Sequence, residues 1–537
     1  MILDLLRSQT KTIAGGAIVI GALSLASRFV GLLRDRIFAS TFGAGDTLDV
    51  YYAAFRIPDT IFALLVVGAL SASFIPLFMK YYSGGCLDHL GAWKFTNRML
   101  HLVAGGYVVL AILGVAFADP LAQLIAPGFS AFKQEHVSEF MRVMFFAQFF
   151  LAISTVFGSV LQATRRFLLF SLAPVFYNLG IIFGALVLVK SLGPIGLAWG
   201  VVLGAILHMG ISAYGMKDLG YRFERPTKLL DPDTQEALVL MGPRVLGLGV
   251  TQIQFLILSV IASGLAVGSV SSFQLAFNLQ FFPVGILGVS YSISVFPVLS
   301  EYVRTRDIEA FRNSFSLTVR QILYFIIPAT VLFLLLRAQI VRVVLGGGVF
   351  GWSETILVAD TLAFFALSFF AQSITFILVR GLFAFKDSMT PLVAGIFSAV
   401  IMVFASFAFS KTYGVVGLAM AFSLTSIVQM ALLWAMLRLR TGNLGEALIL
   451  PGLFRMTVAG IGMGLVVQFA KPLTLTILSL ETFWGVLFQA LFAGVVGLIA
   501  YVGVTYALKT EEFEMVREGF DRKFLRRFRP TETTMDS

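Results

Sequence analysis

About fourteen windows of some twenty apolar residues recur along the chain: 12–40, 47–79, 95–118, 137–162, 168–189, 194–216, 236–265, 269–300, 312–337, 354–384, 389–410, 414–437, 450–470 and 483–508. Each is long enough to cross about 30 Å of hydrocarbon as a helix. A transmembrane barrel would instead show segments of about ten residues with alternating polarity. The chain therefore reads as an all-α polytopic membrane protein. Composition agrees, because 58% hydrophobic and only 13% charged residues in a chain of 537 do not make a soluble globule.

The single cysteine, Cys86, excludes an intramolecular disulfide framework and a cysteine-based zinc site, and the four His have no ligand spacing. No metal or cofactor is expected. Residues Met1 to Lys11 lack a small-residue cleavage motif after a short apolar core, so the first window reads as a retained helix rather than a signal peptide.

The net charge of +10 has a side. Alternate connections carry Lys80, Lys94 and Arg98; Arg165 and Arg166; Lys217, Arg222, Arg225 and Lys228; Arg304, Arg306 and Arg312; Lys386; and Arg438 with Arg440. The tail adds Lys509, Arg517, Arg522, Lys523, Arg526, Arg527 and Arg529. The opposite connections hold only Lys133, Lys190, Arg337, Arg342, Lys411 and Lys471. Positive-inside bias places both termini in the cytoplasm. The basic tail then faces anionic lipid; no stacking aromatics are interleaved with it in a nucleic-acid-binding module, so the expected partner is the bilayer and not nucleic acid.

Two sequence pairs share one offset. Ser73-Phe74-Ile75-Pro76-Leu77 recurs as Ser294-Val295-Phe296-Pro297-Val298, and Gly193-Pro194-Ile195-Gly196-Leu197-Ala198 as Gly414-Val415-Val416-Gly417-Leu418-Ala419. Pro174 and Pro391 fall in nearly the same register. The expectation is a duplication of six helices. An even number gives two parallel lobes, with a substrate site at their interface exposed alternately to each side. The division expected is 1–216 for the first lobe, 217–440 for the second, 441–508 for two extra helices and 509–537 for the tail.

Ions inside apolar windows cost about 2.5–3.5 kcal/mol each at mid-bilayer and usually serve a polar pathway. Arg28, Arg34, Asp35 and Arg36 end the first window; Asp49, Arg56 and Asp59 lie in the second. Ser24, Arg28, Gly31 and Asp35 follow i, i+4, i+7, i+11 spacing and form one stripe, with Arg34 off it unless Gly31 permits a bend. A guanidinium stays charged and grips two phosphate oxygens at once, which suits Arg28 and Arg34 to a diphosphate, with Asp35 holding one of them in place. The plainer reading of Arg34, Asp35 and Arg36 is a helix end snorkelling to water. For Asp49, Arg56 and Asp59 it is an ion pair within or between helices, and Pro58 adds a kink. Gln252, Gln254, Gln274, Asn278 and Gln280 read as interhelical hydrogen-bond glue or cavity lining. Arg244 and Arg380 are candidates in the second lobe. His208, Asp360 and Gln372 are single polar groups in helices, and His208 or Asp360 would suit a proton relay. Gly346-Gly347-Gly348 reads as a flexible external loop, lacking the Lys and Ser/Thr of a phosphate-binding loop.

The run Ser27-Arg28-Phe29-Val30-Gly31-Leu32-Leu33-Arg34-Asp35, then Phe42-Gly43-Ala44-Gly45, Asp49, Phe55-Arg56-Ile57-Pro58, Gly68-Ala69 and Phe74-Ile75-Pro76, resembles the opening of the MurJ (MviN) family. These are lipid II flippases of the multidrug/oligosaccharidyl-lipid/polysaccharide exporter superfamily. Ala126-Pro127-Gly128-Phe129, Met241-Gly242-Pro243, Gln252-Ile253, Phe282-Pro283 with Gly285 and Gly288, and Phe383 to Pro391 extend the resemblance over nearly the whole chain. It implies a V-shaped pair of lobes around a cationic cavity for a diphosphate and sugar-peptide head group, and a groove for the lipid tail at the last two helices.

The expected substrate-binding residues are Arg28, Arg34, Asp35, Asp49, Arg56 and Asn278. The chain departs from the family pattern where a second-helix Arg and Glu are replaced by Phe62 or Ala63 and by Val67, and where an eighth-helix Arg aligns with Asn278. No Asp or Glu lies between Met389 and Gly445 to support the sodium site some members have. The expected function is a non-enzymatic inner-membrane flippase of undecaprenyl-diphosphate-linked peptidoglycan precursor (lipid II). The alternatives are an exporter of another polyprenyl-linked saccharide or amphipathic small molecule, and a transport-inactive scaffold for cell-envelope synthesis proteins.

Overall fold

The computed structural model describes residues 13–82, 90–474 and 482–520, with side chains except at 13–18, 67–73, 240–244, 246 and 519–520. The apolar windows fall on helical chain. In order the helices are α1 (Ile13–Phe42), α2 (Asp46–Phe62), α3 (Gly68–Tyr82), α4 (Leu90–Ala116), α5 (Ala118–Ile125), α6 (Ala131–Ala163), α7 (Phe167–Phe183), α8 (Val189–Leu192), α9 (Gly196–Asp218) and α10 (Pro232–Ser263). There follow α11 (Ser269–Val284), α12 (Ser290–Thr305), α13 (Ile308–Leu335), α14 (Arg337–Leu345), α15 (Trp352–Ala366), α16 (Phe369–Ala384), α17 (Met389–Thr441), α18 (Glu446–Leu473), α19 (Phe483–Ala507) and α20 (Glu511–Phe520).

Among the described residues, eight helical segments are long and apolar enough to cross a membrane, or nine if α15 and α16, bent by 46° at their break, form one span. The protein is a multi-pass membrane protein. Two of the eight, Phe167–Asp218 and Met389–Thr441, have 52 and 53 residues. At 1.5 Å per residue each would reach about 80 Å, far beyond one hydrocarbon core. Each is broken midway by a glycine at positive φ, Gly193 (φ 71°) and Gly414 (φ 57°), a conformation that costs a side-chain-bearing residue but not glycine. Each long segment is thus two crossings.

Gly193 and Gly414 are the glycines that open the repeated motif, and the repetition extends to the backbone. Arg165 and Lys386, at the same separation, share φ 60°. Arg166 N–H donates to Leu161 O over 2.8 Å and Asp387 N–H to Leu382 O over 3.0 Å, the same helix-ending turn at matching positions. Arg166 pairs with Asp218, and Asp387 pairs with Arg440 over 2.6 Å. The second half therefore carries a similar clamp with its charges exchanged, its distal partner one residue beyond the position that matches Asp218.

The chain forms two compact units. One comprises the chain up to Leu279 with Val344–Thr361 and Gly395–Phe422; the other comprises Gln280–Val343, Leu362–Ala394 and the chain from Ser423. In the first unit α6 is central, with 61% of its most apolar stretch buried against 22% for α4. α7 and α9 approach at glycines one turn apart: a Cβ on Gly180 would lie 2.3 Å from Gly204 Cα, and one on Gly184 2.4 Å from Gly200 Cα. Without a hydrophobic drive between helices in lipid, such close backbone contact supplies the packing. Large apolar side chains point outward, as Phe404 (72% exposed) does in the first unit and Phe454 (70%) and Phe469 (74%) do on α18 in the second. That is the inverse of a soluble surface and suits lipid as solvent.

Candidate substrate cavity

The first unit encloses a cavity of about 420 Å³ walled by α1, α2, α6, α7, α9 and α11. Tyr52, Arg56 and Asp59 line it from one stripe of α2 at i, i+4, i+7. Two departures from regular helix shape that wall. Pro58 lies inside α2, where it removes an intrahelical donor, and the helix widens into a π turn at Ala63–Val67, a feature frequent at functional sites.

A continuous hydrogen-bond chain crosses the cavity wall. Arg34 donates from Nε (3.0 Å) and Nη2 (2.8 Å) to Asp35 Oδ1, and from Nη1 (3.0 Å) to Asn178 Oδ1. Asn278 Nδ2 donates to the other Asp35 oxygen over 2.9 Å, and Asn278 Oδ1 accepts from Gln274 Nε2 over 2.8 Å. Gln274 Oε1 accepts from Arg56 Nη2 over 2.5 Å, and Arg56 Nε donates to Ser259 Oγ over 2.9 Å. The Arg56 guanidinium also stands 5.3 Å from the Phe255 ring centre. Both arginines are therefore oriented before any ligand arrives, and Asp35, 2% exposed, is the hub. Such preorganisation reduces the ordering cost of binding an anion.

Of the six residues expected to bind substrate, Arg34, Arg56 and Asn278 line the cavity and Asp35 supports it from behind. Arg28, half-buried on α1, is not among the lining residues. Asp49 is not among the lining residues either. Its buried carboxylate accepts from Lys133 Nζ (3.0 Å), Gly268 N (2.8 Å), Ser271 N (2.9 Å) and Ser271 Oγ (2.9 Å). It caps the start of α11 and pairs with a cation, so its oxygens are occupied by the fold. Lys133 in turn bridges to Asp46 over 2.8 Å and sits 3.8 Å above the Phe129 ring centre.

The other polar candidates separate as well. His208 lines the cavity, its Nδ1 2.6 Å from Ser154 Oγ; Asp360 does not line it. In the second unit Gln372 donates to Gln280 over 3.0 Å, and Arg380 lies 5.3 Å from the Phe296 ring centre. The side chain of Arg244, Cys86 and the tail beyond Phe520 lie outside the described residues. Gly346-Gly347-Gly348 is a docked turn rather than a loose loop: Val349 N–H donates to Ser40 O over 3.0 Å, and Gly347 bridges Phe350.

Asn178, Gln148 and Ser259 were not singled out from sequence. The available signal was an amide inside an apolar window; Asn178 Nδ2 donates to Pro174 O four residues back, over 2.9 Å, which marks it as helix support as much as cavity wall. Phe62 lines the cavity near where the family pattern has a cation. Arg34 and Arg56 are offset by Asp35 and Asp59, so the cationic cavity implied by resemblance is charge-balanced in this unit.

The second unit holds an apolar cavity of about 510 Å³, lined by residues of α13, α16, α17 and α18, including Ile327, Val331, Phe370, Met430, Ile449 and Leu453. Its polar edge is formed by Trp434, whose indole N–H donates to Glu446 over 3.2 Å. Apart from that edge and the hydroxyls of Thr330 and Thr457 its lining is apolar, so it suits a hydrocarbon chain.

The comparisons agree with this architecture. Residues 38–496 match the family model described as lipid II flippase MurJ. The chain is similar to the probable lipid II flippase MurJ of Bdellovibrio bacteriovorus, with 26% identity over 520 residues covering 95% of this chain and 98% of the relative. It is likewise similar to that of Vibrio cholerae, at 27% over 512 residues, 91% and 94%, and that of Rhizobium tropici, at 30% over 391 residues, 70% and 71%. A solved lipid II flippase MurJ in an inward closed conformation shares the fold with a TM-score of 0.76 at 23% identity, covering 91% of this chain and 99% of that one. An inward-facing MATE family transporter of the MOP superfamily aligns with a TM-score of 0.67 at 16% identity, 80% and 99%. A family match across most of the chain, with relatives aligned nearly end to end, leads to one conclusion: this chain belongs to the lipid II flippase MurJ family.

Proposed function

We propose that this protein translocates lipid II, the undecaprenyl-diphosphate-linked peptidoglycan precursor, across the bacterial inner membrane by alternating access, without catalysing a covalent step. The observation that carries the reading is the pair of arginines set in advance by Asp35, Asn178 and Gln274 in an intramembrane cavity of a chain whose relatives are named lipid II flippases. A diphosphate needs forked donors held in register, and Arg34 and Arg56 supply them. The apolar cavity of the second unit is the proposed seat of the lipid tail. The lobe division 1–216 and 217–440, with 441–508 beyond it and a basic tail at 509–537, and the cytoplasmic placement of both termini are part of the same proposal.

A second reading has one observation in its favour. Phe62 and Asn278 stand where the family pattern has cations, and a less cationic cavity suits a different polyprenyl-linked saccharide. Complementation separates them. In a bacterium depleted of its own lipid II flippase, the wild type restores growth and outer-leaflet lipid II, and Arg34→Ala at equal membrane abundance does not. A well-inserted wild type that fails to rescue, while restoring export of another polyprenyl-linked saccharide in a matching depletion strain, moves the assignment to the second reading.

A further inference from the structure

Asp59 lines the cavity yet makes no hydrogen bond and no ion pair among the described residues. Arg56, three residues earlier on the same stripe of α2, acts on it through charge alone, its hydrogen bonds going to Ser259 and Gln274 and its face to Phe255. An ionised carboxylate inside a membrane protein needs a compensating charge or donor. Here the fold supplies the nearby charge of Arg56 but, among the described residues, no hydrogen-bond donor to the carboxylate.

Two further oxygens on the same cavity are also unmatched. Gln148, 1% exposed on α6, has an Oε1 without a partner, and Tyr52, 8% exposed, has an unpartnered Oη. Buried polar atoms of this kind call for an explanation such as a missing ligand. Tyr52 lies two turns before Asp59 on the same face of α2, while Gln148 approaches from α6. A sphere of 420 Å³ would be only about 9 Å across, so one small ligand reaches several of the lining groups. The three groups share one chemistry, that of oxygen acceptors around negative charge, and it is complementary to a cation. An anion entering beside Arg34 and Arg56 would meet Asp59 as a repulsive charge unless a cation sat there with it.

We propose that Asp59, Gln148 and Tyr52 form a cation-accepting subsite next to the two arginines, one that holds either a primary ammonium of the transported head group or a free monovalent metal ion. The inference deepens the transport reading by naming what must accompany the diphosphate, and it rests on that reading only for the diphosphate's place. Cation binding is measured without lipid, so its failure and the failure of complementation are separate results.

The test is the unfolding temperature of the full-length protein in detergent, followed by tryptophan fluorescence at constant ionic strength. Choline chloride is replaced stepwise by sodium chloride in one arm and by ethylammonium chloride in the other. The expected result is a saturable rise in the wild type. In Asp59→Asn, which keeps the shape and removes the charge, the rise is lost. In Gln148→Leu the apparent Kd increases about tenfold or more, as for a lost hydrogen bond to a charge. A rise with ethylammonium alone assigns the subsite to a substrate ammonium, and a rise with sodium assigns it to a metal ion. No rise in the wild type with either cation, or the same rise in Asp59→Asn, overturns the proposal. Should Asp59→Asn fold poorly, equilibrium binding of radioactive sodium and of labelled ethylammonium to the wild type decides it, since absence of stoichiometric binding of both is equally fatal.

Discussion

Asn278 donates to Asp35 over 2.9 Å, and through that bond α11 holds the carboxylate that orients Arg34. Asn278→Leu leaves a buried carboxylate oxygen without its donor and is expected to cost about 1–3 kcal/mol. Asn278→Arg keeps a donor and adds charge, so it melts close to the wild type. Unfolding midpoints of the two variants in detergent check the ordering.

Asp49→Ala removes one side of a buried, fully bonded arrangement, leaving the start of α11 uncapped and Lys133 with only the exposed Asp46. The expected loss is about 3–5 kcal/mol. It shows as reduced folded protein on detergent size exclusion, whereas Asp59→Asn leaves abundance unchanged because no bond is lost.

The exchanged clamps, Arg166 with Asp218 and Asp387 with Arg440, make charge reversal informative. Arg166→Asp alone places two carboxylates together and lowers the melting temperature. Combined with Asp218→Arg it recovers most of the loss, since the second half holds an Asp–Arg pair at a similar turn. A double-mutant cycle on melting temperature measures the coupling.

Gly200→Val puts side-chain atoms where the α7 backbone already lies, and overpacking of this kind costs about 1–3 kcal/mol or more. The expected phenotype is loss of folded protein, with no selective loss of transport in what remains folded. Comparing transport per folded molecule with total transport separates the two.

The Asp387 carboxyl lies outside the spans. Burial by itself would raise its pKa, and hydrogen bonds from the Thr390 hydroxyl and amide, the Arg440 charge and the Met389 amide overcome it, holding the group below the usual aspartate range. Its contribution is therefore fully present above the unfolded value of about 3.9 and is lost as pH falls through the lower folded value. Between pH 7 and 5 the wild type and Asp387→Asn should differ in melting temperature by a constant amount; below pH 4 the gap should close.

The helices were legible because each crossing must hide its own backbone, which demands about twenty apolar residues whatever its neighbours are. The paired breaks were legible for a related reason: Gly193 and Gly414 serve a backbone angle that other residues avoid, so the break is written in the residue itself. The charges in α1 and α2 announced a polar region for the same energetic reason. Their partners were not legible. Asp49 and Asp35 look alike in sequence, each an acid in an apolar window, yet one is spent on Lys133 and α11 while the other arms the cavity. Arg28 and Arg34 look equally suited to phosphate, but only Arg34 lines the space. Sequence alone announced that ions are buried here and that apolar stretches long enough to span lipid recur along the chain. Which ion meets which donor, and which is left facing an open cavity, depends on helices up to 243 residues apart in the chain, and hydrogen bonds that act only within about 3 Å are decided by tertiary packing.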